Sequence, residues 1–425
     1  MADSAWDVAI VGGGLAGLRC AQQLHGADIR AVVLEAEDCL GGSVRTDTVD
    51  GFLLDRGFQV LLTAYREASR TLDFSRLNLQ TFLPGALVRT DGRFHTIADP
   101  WRRPSRVLQT IRANVGSLSD KLRIGALSRR VRKGSLEELF TRPEQATVDY
   151  LGQYGFSERI IDRFFRPFLG GVFLEPELRT SSRMFEFVFR MFATGSAALP
   201  ADGMGAIPDQ IAATLPADQV RLRAEVVGLE NGGLRLKSGE LLRTQAVVLA
   251  TEGTGLSAWV PGLPEVKSRS VTCLYFAAET SPLEEPILVL NGEGDGFVNN
   301  LCVPSDISSR YAPPGASLIS ATVLGNPELD KSALTDAVRG ELTGWFGEQV
   351  ERWRHLKTYR LAHALPETGS HGLAEASRPV RLKEGLYVCG DHRETPSIEG
   401  ALISGRRAAG AVLQDIGNGG RVNDG

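Results

Sequence analysis

Apolar runs and glycine turns alternate at the start of the chain in the order of a βαβ unit. Residues 7–11 form a mostly apolar run, which predicts a buried parallel strand. A turn of three glycines follows, and apolar residues then recur at helical spacing from Leu18 to Leu24. A second apolar run at 31–34 predicts a neighbouring parallel strand that ends at Glu35.

The glycines of the turn Gly12-x-Gly14-x-x-Gly17 each have a physical reason. Gly12 permits the tight turn out of the strand, Gly14 lets the backbone approach a pyrophosphate, and Gly17 lets the helix pack closely on the sheet. The helix N-terminus offers free N–H groups to the phosphates. Glu35 follows about twenty residues on, where a carboxylate can accept a hydrogen bond from a ribose hydroxyl. This order of strand, turn, helix, strand and acid predicts a dinucleotide-binding site.

Further along the chain, strand patterns predominate. Residues 220–249 alternate in polarity and are interrupted by glycine turns, as in a β-meander, and the run 246–251 predicts another buried strand. Strands are also predicted near 271–276 and 316–323, and a helix near 333–346.

A second strand, turn and helix pattern lies near the C-terminus. Residues 386–391 predict a strand that ends in Gly-Asp, and 396–401 then lead into a helix with Ser397 as a candidate N-cap. The partial positive charge of this helix start suits a diphosphate or an electron-rich ring. Residues 414–425 are predicted to be a frayed tail.

Composition excludes several classes of function. The chain has 425 residues, enough for two or three domains, and its net charge of −4 gives no global reason to bind nucleic acid. Five cysteines without CxxC spacing favour a reducing compartment, and six histidines show no ligand spacing, so no metal site is predicted. The first strand begins near residue 7 and no apolar stretch reaches about 18 residues, so neither a signal peptide nor a spanning helix is expected. The predicted location is cytoplasmic.

The stretch 101–133 is strongly basic. Ten lysines and arginines accompany the single acid Asp120, and Leu118, Leu122 and Leu127 fall near helical spacing. One interpretation is a basic amphipathic helix that lies on a membrane surface, which leaves a peripheral membrane contact open. The alternative, which is the commoner case, is a solvated basic face whose apolar side packs on the protein.

Residues 150–192 are dense in aromatic side chains, with eleven phenylalanines and tyrosines. Most of them must form core, because aromatic burial dominates packing energy. The same cluster is also a candidate lining for an apolar substrate cavity.

These motifs together resemble the flavin-containing amine oxidoreductase superfamily, which includes monoamine oxidases, protoporphyrinogen oxidases and phytoene desaturases. The residues that carry the resemblance are Gly12-x-Gly14-x-x-Gly17, Glu35, Gly41-Gly42, Asp55-x-Gly57, Ala246 to Thr251, Gly390-Asp391 and Glu399-Gly400-Ala401. The resemblance implies an α/β fold in which a Rossmann-like FAD-binding domain (1–88, 200–265 and 370–425) is interleaved with an α+β substrate domain (89–199 and 266–369). The layout is most similar to the desaturase and protoporphyrinogen oxidase branch.

The same resemblance implies how each part of FAD is held. Its ribose would lie on Glu35, its adenine against the backbone of Val227, and its ribityl–phosphate portion near Asp391. The 398–401 backbone would lie by the pyrimidine edge of the flavin and residues 57–59 near its reactive side. The cofactor-binding residues predicted in this way are Gly12, Gly14, Leu15, Ala16, Gly17, Glu35, Ala36, Gly42, Ser43, Arg45, Gly57, Phe58, Gln59, Val227, Gly390, Asp391, Ile398, Glu399, Gly400 and Ala401.

Three departures from the family pattern are informative. Ser43 stands where an arginine commonly follows the double glycine, which leaves Arg45 as the candidate charged contact to phosphate. Amine oxidases usually carry a lysine on the strand that aligns with 270–275, where this chain has Thr272-Cys273. Members with covalent flavin use a cysteine in a loop where this chain has none, so FAD is predicted to be non-covalent.

The predicted function is that of an FAD-dependent desaturase or oxidase. It would remove hydride from a C–H bond of an apolar, isoprenoid- or porphyrinogen-like substrate, and oxygen, a quinone or another acceptor would reoxidise the flavin. No catalytic side chain is assigned, since much of this chemistry belongs to the flavin, and structural roles are the commoner outcome for His363 and Tyr359.

Two alternatives remain open. One is a flavin amine oxidase, which Thr272 disfavours. The other is a non-enzymatic prenyl-binding escort-type protein on the same fold, which does not use flavin. The intact C-terminal motifs at Gly390-Asp391 and Glu399-Gly400-Ala401 argue against that escort role.

Overall fold

The computed structural model describes residues 6–99, 102–369 and 378–422, and side chains as far as residue 417. The strands are β1 Val8–Val11, β2 Ala31–Leu34, β3 Thr46–Val49, β4 Phe52–Asp55, β5 Leu61–Leu62, β6 Gln80–Thr81, β7 Gly85–Thr90, β8 Arg93–Ala98, β9 Ala197–Leu199, β10 Val220–Arg221, β11 Val226–Glu230, β12 Gly233–Leu236, β13 Leu241–Arg243, β14 Ala246–Leu249, β15 Ser268–Ala278, β16 Leu288–Asn291, β17 Val298–Cys302, β18 Ser317–Leu324, β19 Arg354–Pro366, β20 Arg381–Lys383 and β21 Leu386–Val388. The α-helices are α1 Leu15–His25, α2 Arg66–Thr71, α3 Val107–Arg112, α4 Leu118–Val131, α5 Leu136–Phe140, α6 Thr147–Gln153, α7 Glu158–Ile160, α8 Arg166–Phe173, α9 Ser182–Thr194, α10 Ala206–Ala212, α11 Leu256–Trp259, α12 Pro304–Ile307, α13 Lys331–Phe346 and α14 Ile398–Val422.

One sheet is assembled from three distant parts of the chain, in the strand order β10-β2-β1-β14-β21-β20. The pairs from β10 to β21 are parallel, and only the edge strand β20 is antiparallel to its neighbour. Every residue of β1, β2, β14 and β21 is buried, as expected for parallel strands covered on both faces. The prediction of a Rossmann-like α/β sheet from these apolar runs is therefore confirmed.

The predicted β-meander forms a separate small sheet beside the parallel one. Strands β11, β12 and β13 pair antiparallel in chain order, and the chain then returns through β14 into the parallel sheet. Apolar side chains from both sheets share one hydrophobic cluster, which includes Val226, Leu234 and Leu249.

A second large sheet has the order β19-β15-β18-β17-β16-β7-β8, and two small sheets, β3-β4 and β5-β9-β6, contain the remaining strands. Its neighbours pair antiparallel except for β7 and β16, which are parallel. One face packs against α13, with Leu334, Val338 and Leu342 buried in the same cluster as β15 and β18. The predicted domain boundary at 88 falls inside β7, which belongs wholly to this sheet.

The helical stretch from α3 to α9 packs largely through its aromatic side chains. Phe156, Phe165, Phe173, Phe185 and Phe187 are buried, and the other aromatics of 150–192 are partly buried around them. Their role as core is confirmed. The basic stretch 101–133 was interpreted as one helix, but within 102–133 the structure has two α-helices, α3 and α4, with an extended Ala113 after α3.

The C-terminal helix is longer than its sequence indicates. Helix α14 continues to Val422, so the prediction of a frayed tail was wrong for 414–422. Leu402, Ala408, Ala409 and Val412 are buried, and Leu413 and Ile416 pack against the same cluster, so the helix keeps an apolar, packed face past residue 414.

Candidate functional site

The carboxyl ends of four neighbouring strands meet at one edge of the parallel sheet. The Gly12 N–H donates to Leu34 O at 2.9 Å, and the Ala250 N–H donates to Val11 O at 2.8 Å. The Cys389 N–H in turn donates to Leu249 O at 2.9 Å. The turns that follow β1, β2, β14 and β21 are therefore side by side, at the edge where open α/β sheets bind their ligands.

In the first glycine turn, neighbouring protein atoms lie close to Gly12 and Gly17 but leave the space beside Gly14 open. A methyl group on Gly12, whose φ is +108°, would lie 2.6 Å from Ala250 O, and one on Gly17 would overlap Gly12 O. A methyl group on Gly14 would meet nothing closer than the Gly42 Cα at 3.9 Å. Helix α1 begins at Leu15 and Ala16, and among the described residues no side chain caps it, so its first N–H groups have neither an intrahelical partner nor a side-chain acceptor. A phosphate is the kind of ligand that such a helix start favours.

The second glycine turn lies directly against the first. The Gly41 N–H donates to Gly13 O at 2.9 Å, and a methyl group on Gly42 would lie 3.2 Å from the Gly14 Cα. The Ser43 carbonyl accepts a hydrogen bond from Gln59 Nε2 at 2.8 Å. The structure thus brings the predicted diphosphate turn and the predicted 57–59 segment together.

Arg45 is a buried cation with an unsatisfied donor. Its side chain is 9% exposed, and its Nε has no hydrogen-bond partner among the residues that the structure describes. The carboxylate of Asp38 lies 3.7 Å from its terminal nitrogen and is itself largely exposed. A buried guanidinium with so loose a pairing is costly unless another anion completes it. The diphosphate of a dinucleotide is an anion of the right chemistry for this position.

Glu35 lies where the sequence predicted a ribose acid, and it also holds the glycine turn. Its carboxylate accepts the Gly13 N–H at 2.7 Å and the Glu37 N–H at 2.9 Å. A carboxylate has about four acceptor positions, so two remain for ribose hydroxyls. Beside it, Ala36 lines a cavity of about 660 Å³ together with residues 221–225 and the hairpin at 236–240.

Val227 is the extra residue of a β-bulge. Pairing between β11 and β12 passes from Val226 to Gly228 and skips Val227, so its backbone lies outside the ladder, and its side chain is 51% exposed. An exposed residue with an irregular strand backbone at this position is compatible with the predicted contact with adenine.

At the C-terminal turn, Gly390 and Asp391 follow β21 at the same sheet edge. Gly390 has φ +149°, and a methyl group there would overlap the His392 ring. Burial raises the pKa of the Asp391 carboxyl to about 7. The Ser397 hydroxyl accepts the Gly400 N–H at 3.0 Å, which confirms the predicted N-cap of α14. Ile398 and Ala401 belong to this first turn.

The side chain of Glu399 has a role that the sequence did not reveal. Its carboxylate accepts the backbone N–H groups of Glu67 at 2.8 Å and Ala68 at 3.0 Å, and so caps the N-terminus of α2. The flavin contact implied by the resemblance uses the backbone of this turn, so the carboxylate can cap α2 without competing with it. No local signal marks this pairing, because α2 and α14 are more than three hundred residues apart in the chain.

Helices α1 and α14 cross close to their starts. A methyl group on Gly405 would overlap the Ala16 carbonyl oxygen. The buried carboxylate of Glu67 binds Arg19 of α1 at 3.0 Å and Arg406 of α14 at 3.0 Å. These contacts hold the two glycine-containing turns on the same side of the molecule.

The predicted reactive side of the flavin is lined by β15. The Phe58 N–H donates to the Cys273 Sγ at 3.3 Å, and burial raises the pKa of the Cys273 thiol to about 11, so it stays neutral near pH 7. The Thr272 hydroxyl donates to Gly325 O at 2.9 Å. Tyr359 donates its hydroxyl to Asp47 at 2.6 Å, which is a structural role.

Asp55 is the residue whose importance the sequence analysis missed. Its buried carboxylate accepts from Thr46 Oγ1 at 2.5 Å, from the Met204 N–H at 2.9 Å and from the Tyr311 hydroxyl at 2.7 Å. The Tyr275 hydroxyl donates to its backbone carbonyl at 2.7 Å. Burial raises the pKa of the carboxyl to about 6. Asp55 lies two residues before Gly57. It therefore connects the segment predicted to lie near the flavin with β15 of the second large sheet.

Comparison with curated proteins finds partial likeness to two porphyrinogen oxidases. The chain is 29% identical over 174 residues to coproporphyrinogen III oxidase of Propionibacterium freudenreichii, which is 39% of this chain and 31% of that protein. It is 24% identical over 164 residues to protoporphyrinogen oxidase 2 of Arabidopsis thaliana, which is 39% of this chain and 32% of that protein. The matched regions thus span about a third of the length of these relatives.

Comparison with solved structures confirms the fold. Cyclohexylamine oxidase from Brevibacterium oxydans superposes with a TM-score of 0.70 over 97% of this chain and 99% of its own, at 17% identity. The family model for flavin containing amine oxidoreductases matches residues 15–413, which is nearly the whole chain. The match begins just after Gly14, and it includes Gly17, the turn at Gly41-Gly42 and the C-terminal turn. The chain belongs to the flavin containing amine oxidoreductase family.

Proposed function

We propose that this protein is an FAD-dependent oxidoreductase that removes hydride from a C–H bond of an apolar substrate of isoprenoid or porphyrinogen type. The observation that carries the proposal is the meeting of two glycine-containing turns and two helix N-termini at one sheet edge. The open space beside Gly14 would let the diphosphate of a dinucleotide approach the backbone, and the unsatisfied Nε of Arg45 would donate a hydrogen bond to it. FAD is held non-covalently, since the buried Cys389 lies at the end of a strand beside Leu249.

In this proposal the protein positions the reactants and excludes water. Bound FAD supplies a two-electron acceptor, and oxygen, a quinone or another acceptor takes the electrons afterwards. The Phe58 N–H is held by the Cys273 sulfur and the Gln59 side chain by the Ser43 carbonyl, and the first turn of α14 is held by the Ser397 cap. Fixed orientation of this kind lowers the barrier to hydride removal without any side chain that acts as a base.

An apolar substrate is supported by the aromatic side chains near the start of α14. The rings of Tyr65 and Phe187 stack with centroids 6.1 Å apart, which connects the aromatic cluster to α2. Tyr65 directly precedes α2, whose first N–H groups bind the Glu399 carboxylate, so its ring lies close to the start of α14. An aromatic core next to the predicted pyrimidine edge favours an apolar substrate over a small cation.

A flavin amine oxidase is the chief alternative, because amine oxidases share the fold. It is disfavoured by β15, where Thr272 is bonded to Gly325 and Cys273 to Phe58, so that neither position offers the lysine that amine oxidases usually carry. The partial likeness to two porphyrinogen oxidases points in the same direction.

The test is a visible spectrum followed by anaerobic reduction. The purified protein is expected to be yellow, and acid precipitation is expected to release FAD into the supernatant. Under anaerobic conditions, porphyrinogens or partly saturated polyenes are expected to bleach the flavin, and simple primary amines to leave it oxidised. A colourless protein that ignores added FAD would contradict the cofactor assignment, and bleaching by amines alone would contradict the substrate class.

A further inference from the structure

Four large apolar side chains are exposed on the neighbouring helices α3 and α4. Leu108 is 66% exposed, Ile111 47%, Leu118 57% and Leu122 69%. Within the described ranges seven large hydrophobic side chains are exposed, and these four all lie between 108 and 122. Clustered exposure of this kind marks an interaction surface, whereas single exposed leucines are ordinary.

The exposure of these side chains is fixed by the surrounding structure. Lys121 Nζ donates to Ile111 O at 2.8 Å and to Ala113 O at 2.9 Å, which ties the end of α3 to the first turn of α4. Helix α4 begins with a capping box between Ser117 and Asp120. Asp120 also accepts the Ser157 N–H at 3.0 Å, so the helix start is anchored to the core. The apolar side chains are therefore presented on a rigid support.

The surface around them is cationic. The only acid between 102 and 134 is Asp120, which is buried in the cap just described. Arg112, Arg129 and Lys133 are exposed, and no ion pair involving them is found in the part of the chain that the structure covers. Leu118, Leu122 and Arg129 share one face of α4, at positions i, i+4 and i+11.

We infer that the α3–α4 surface, defined by these four apolar side chains and by Arg112, Arg129 and Lys133, binds the headgroup region of an anionic lipid bilayer. Leucine and isoleucine side chains on the outer face would enter the acyl boundary while the arginines meet phosphate groups, as in interfacial amphipathic helices. None of the helices in the described ranges is long and apolar enough to cross a membrane, so the contact would be peripheral. This inference stands apart from the proposed flavin chemistry.

Charge decides between a bilayer and a second copy of the chain. A symmetric dimer through this surface would bring Arg112, Arg129 and Lys133 of both copies together. The acids beside this segment in the described structure, Glu285 and Asp91, are already paired with Arg103 and Arg106 and with Arg163. An anionic bilayer supplies both the apolar layer and the negative charge that the surface lacks. The bilayer is therefore the favoured occupant.

The experiment is cosedimentation of the full-length purified protein with phosphatidylcholine vesicles, with or without phosphatidylglycerol. Two double variants test the surface, L118Q/L122Q for its apolar part and R112E/R129E for its charge. Their controls are F297Q, which changes an exposed phenylalanine elsewhere, and R76E/R243E, which makes the same change in net charge away from the surface. Thermal melting and analytical ultracentrifugation report folding and oligomeric state.

The wild type and both controls are expected to sediment with the anionic vesicles in low salt, to release in high salt and to ignore neutral vesicles. Each surface variant is expected to lose binding by roughly tenfold or more, with unchanged melting. Absence of vesicle binding in low salt would overturn the inference, as would equal binding by all variants. A dimer that L118Q/L122Q converts to a monomer, with vesicle binding unchanged, would overturn it in favour of a second copy.

Discussion

Gly405 lies against the backbone carbonyl of Ala16, so closely that a methyl group on Gly405 would overlap that oxygen. The contact holds the C-terminal helix against the helix that begins at the first glycine turn. The two ends of the chain are therefore joined at the candidate cofactor site by backbone approaching backbone, which only glycine permits here.

This contact predicts different outcomes for two glycines of the same helix. Gly405→Ala is expected to destabilise the protein by about 1–3 kcal/mol, because the helices must separate to fit the methyl group. Gly410→Ala is the matched control, since nothing lies within 4 Å of a methyl group there, and it is expected to stabilise the helix by up to about 1 kcal/mol. Urea denaturation measures both, and equal effects would contradict the close crossing.

The first glycine turn predicts a separation of folding from cofactor binding. Gly14→Ala is expected to leave the flavin-free protein folded, because Gly14 has φ −74° and open space beside it, but to weaken FAD binding by roughly tenfold or more. Gly17→Ala is expected to impair folding itself, since its methyl group would overlap Gly12 O. Fluorescence titration with FAD and thermal melting give the two readouts. Normal FAD affinity in Gly14→Ala would place the diphosphate elsewhere.

Arg45 is expected to strengthen FAD binding and to destabilise the flavin-free protein. Arg45→Met should weaken FAD binding by roughly tenfold or more, because a charge-assisted contact is lost. The flavin-free variant should be as stable as the wild type or more so, because a loosely paired buried cation is removed. Exposed Arg76→Met is the control for both measurements. Loss of stability without loss of FAD affinity would show that Arg45 is purely structural.

Glu399 is expected to act on stability alone. Glu399→Gln should lower the free energy of unfolding by about 1–2 kcal/mol, because the cap of α2 is weakened. Flavin affinity should not change, since the backbone of the 398–401 turn stays in place through Ser397. Chemical denaturation and FAD titration on the same preparation test this, and a loss of affinity at full stability would assign the carboxylate to the cofactor.

Asp55 predicts a pH dependence with a defined sign. Its carboxyl has a pKa of about 6 in the folded state against 3.8 as a free side chain, so the folded protein holds its proton more tightly. The contribution of Asp55 to stability is therefore fully present below pH 4 and is lost as the pH rises to 6, by on the order of 3 kcal/mol. Asp55→Asn removes this group, so the unfolding free energy of the wild type minus that of the variant should fall, by on the order of 3 kcal/mol, as the pH rises from 4 to 6. A rise in this quantity over the same range would contradict the direction of the shift.

The parallel sheet could be predicted from the sequence because its physical requirements are local. Buried strands such as β1 and β14 need continuous apolar runs, and the turns after them need glycines at fixed spacing. The N-cap at Ser397 followed from the same kind of rule, since the residue type and its distance from the helix define it.

The relations that could not be predicted join residues far apart in the chain. The Glu399 carboxylate caps α2, and the Asp55 carboxylate binds Tyr311, but neither pattern leaves a trace in the neighbouring sequence. The exposure of Leu118 and Leu122 was equally hidden, because a helical spacing of leucines does not say whether protein covers them. The extension of α14 past residue 414 depends likewise on tertiary contacts, such as the packing of Ile416 and the ion pair of Asp415 with Arg381.

The parallel sheet has a consequence for biosynthesis. Its central strand β14 lies between β1, made near the start of translation, and β21, made near the end. Until the last part of the chain leaves the ribosome, one edge of the apolar strand β14 has no partner strand and the candidate cofactor site lacks its C-terminal turn. Nascent chains that stall before residue 386 should therefore expose an unpaired, aggregation-prone strand edge. We expect them to recruit chaperones and to fail to retain flavin.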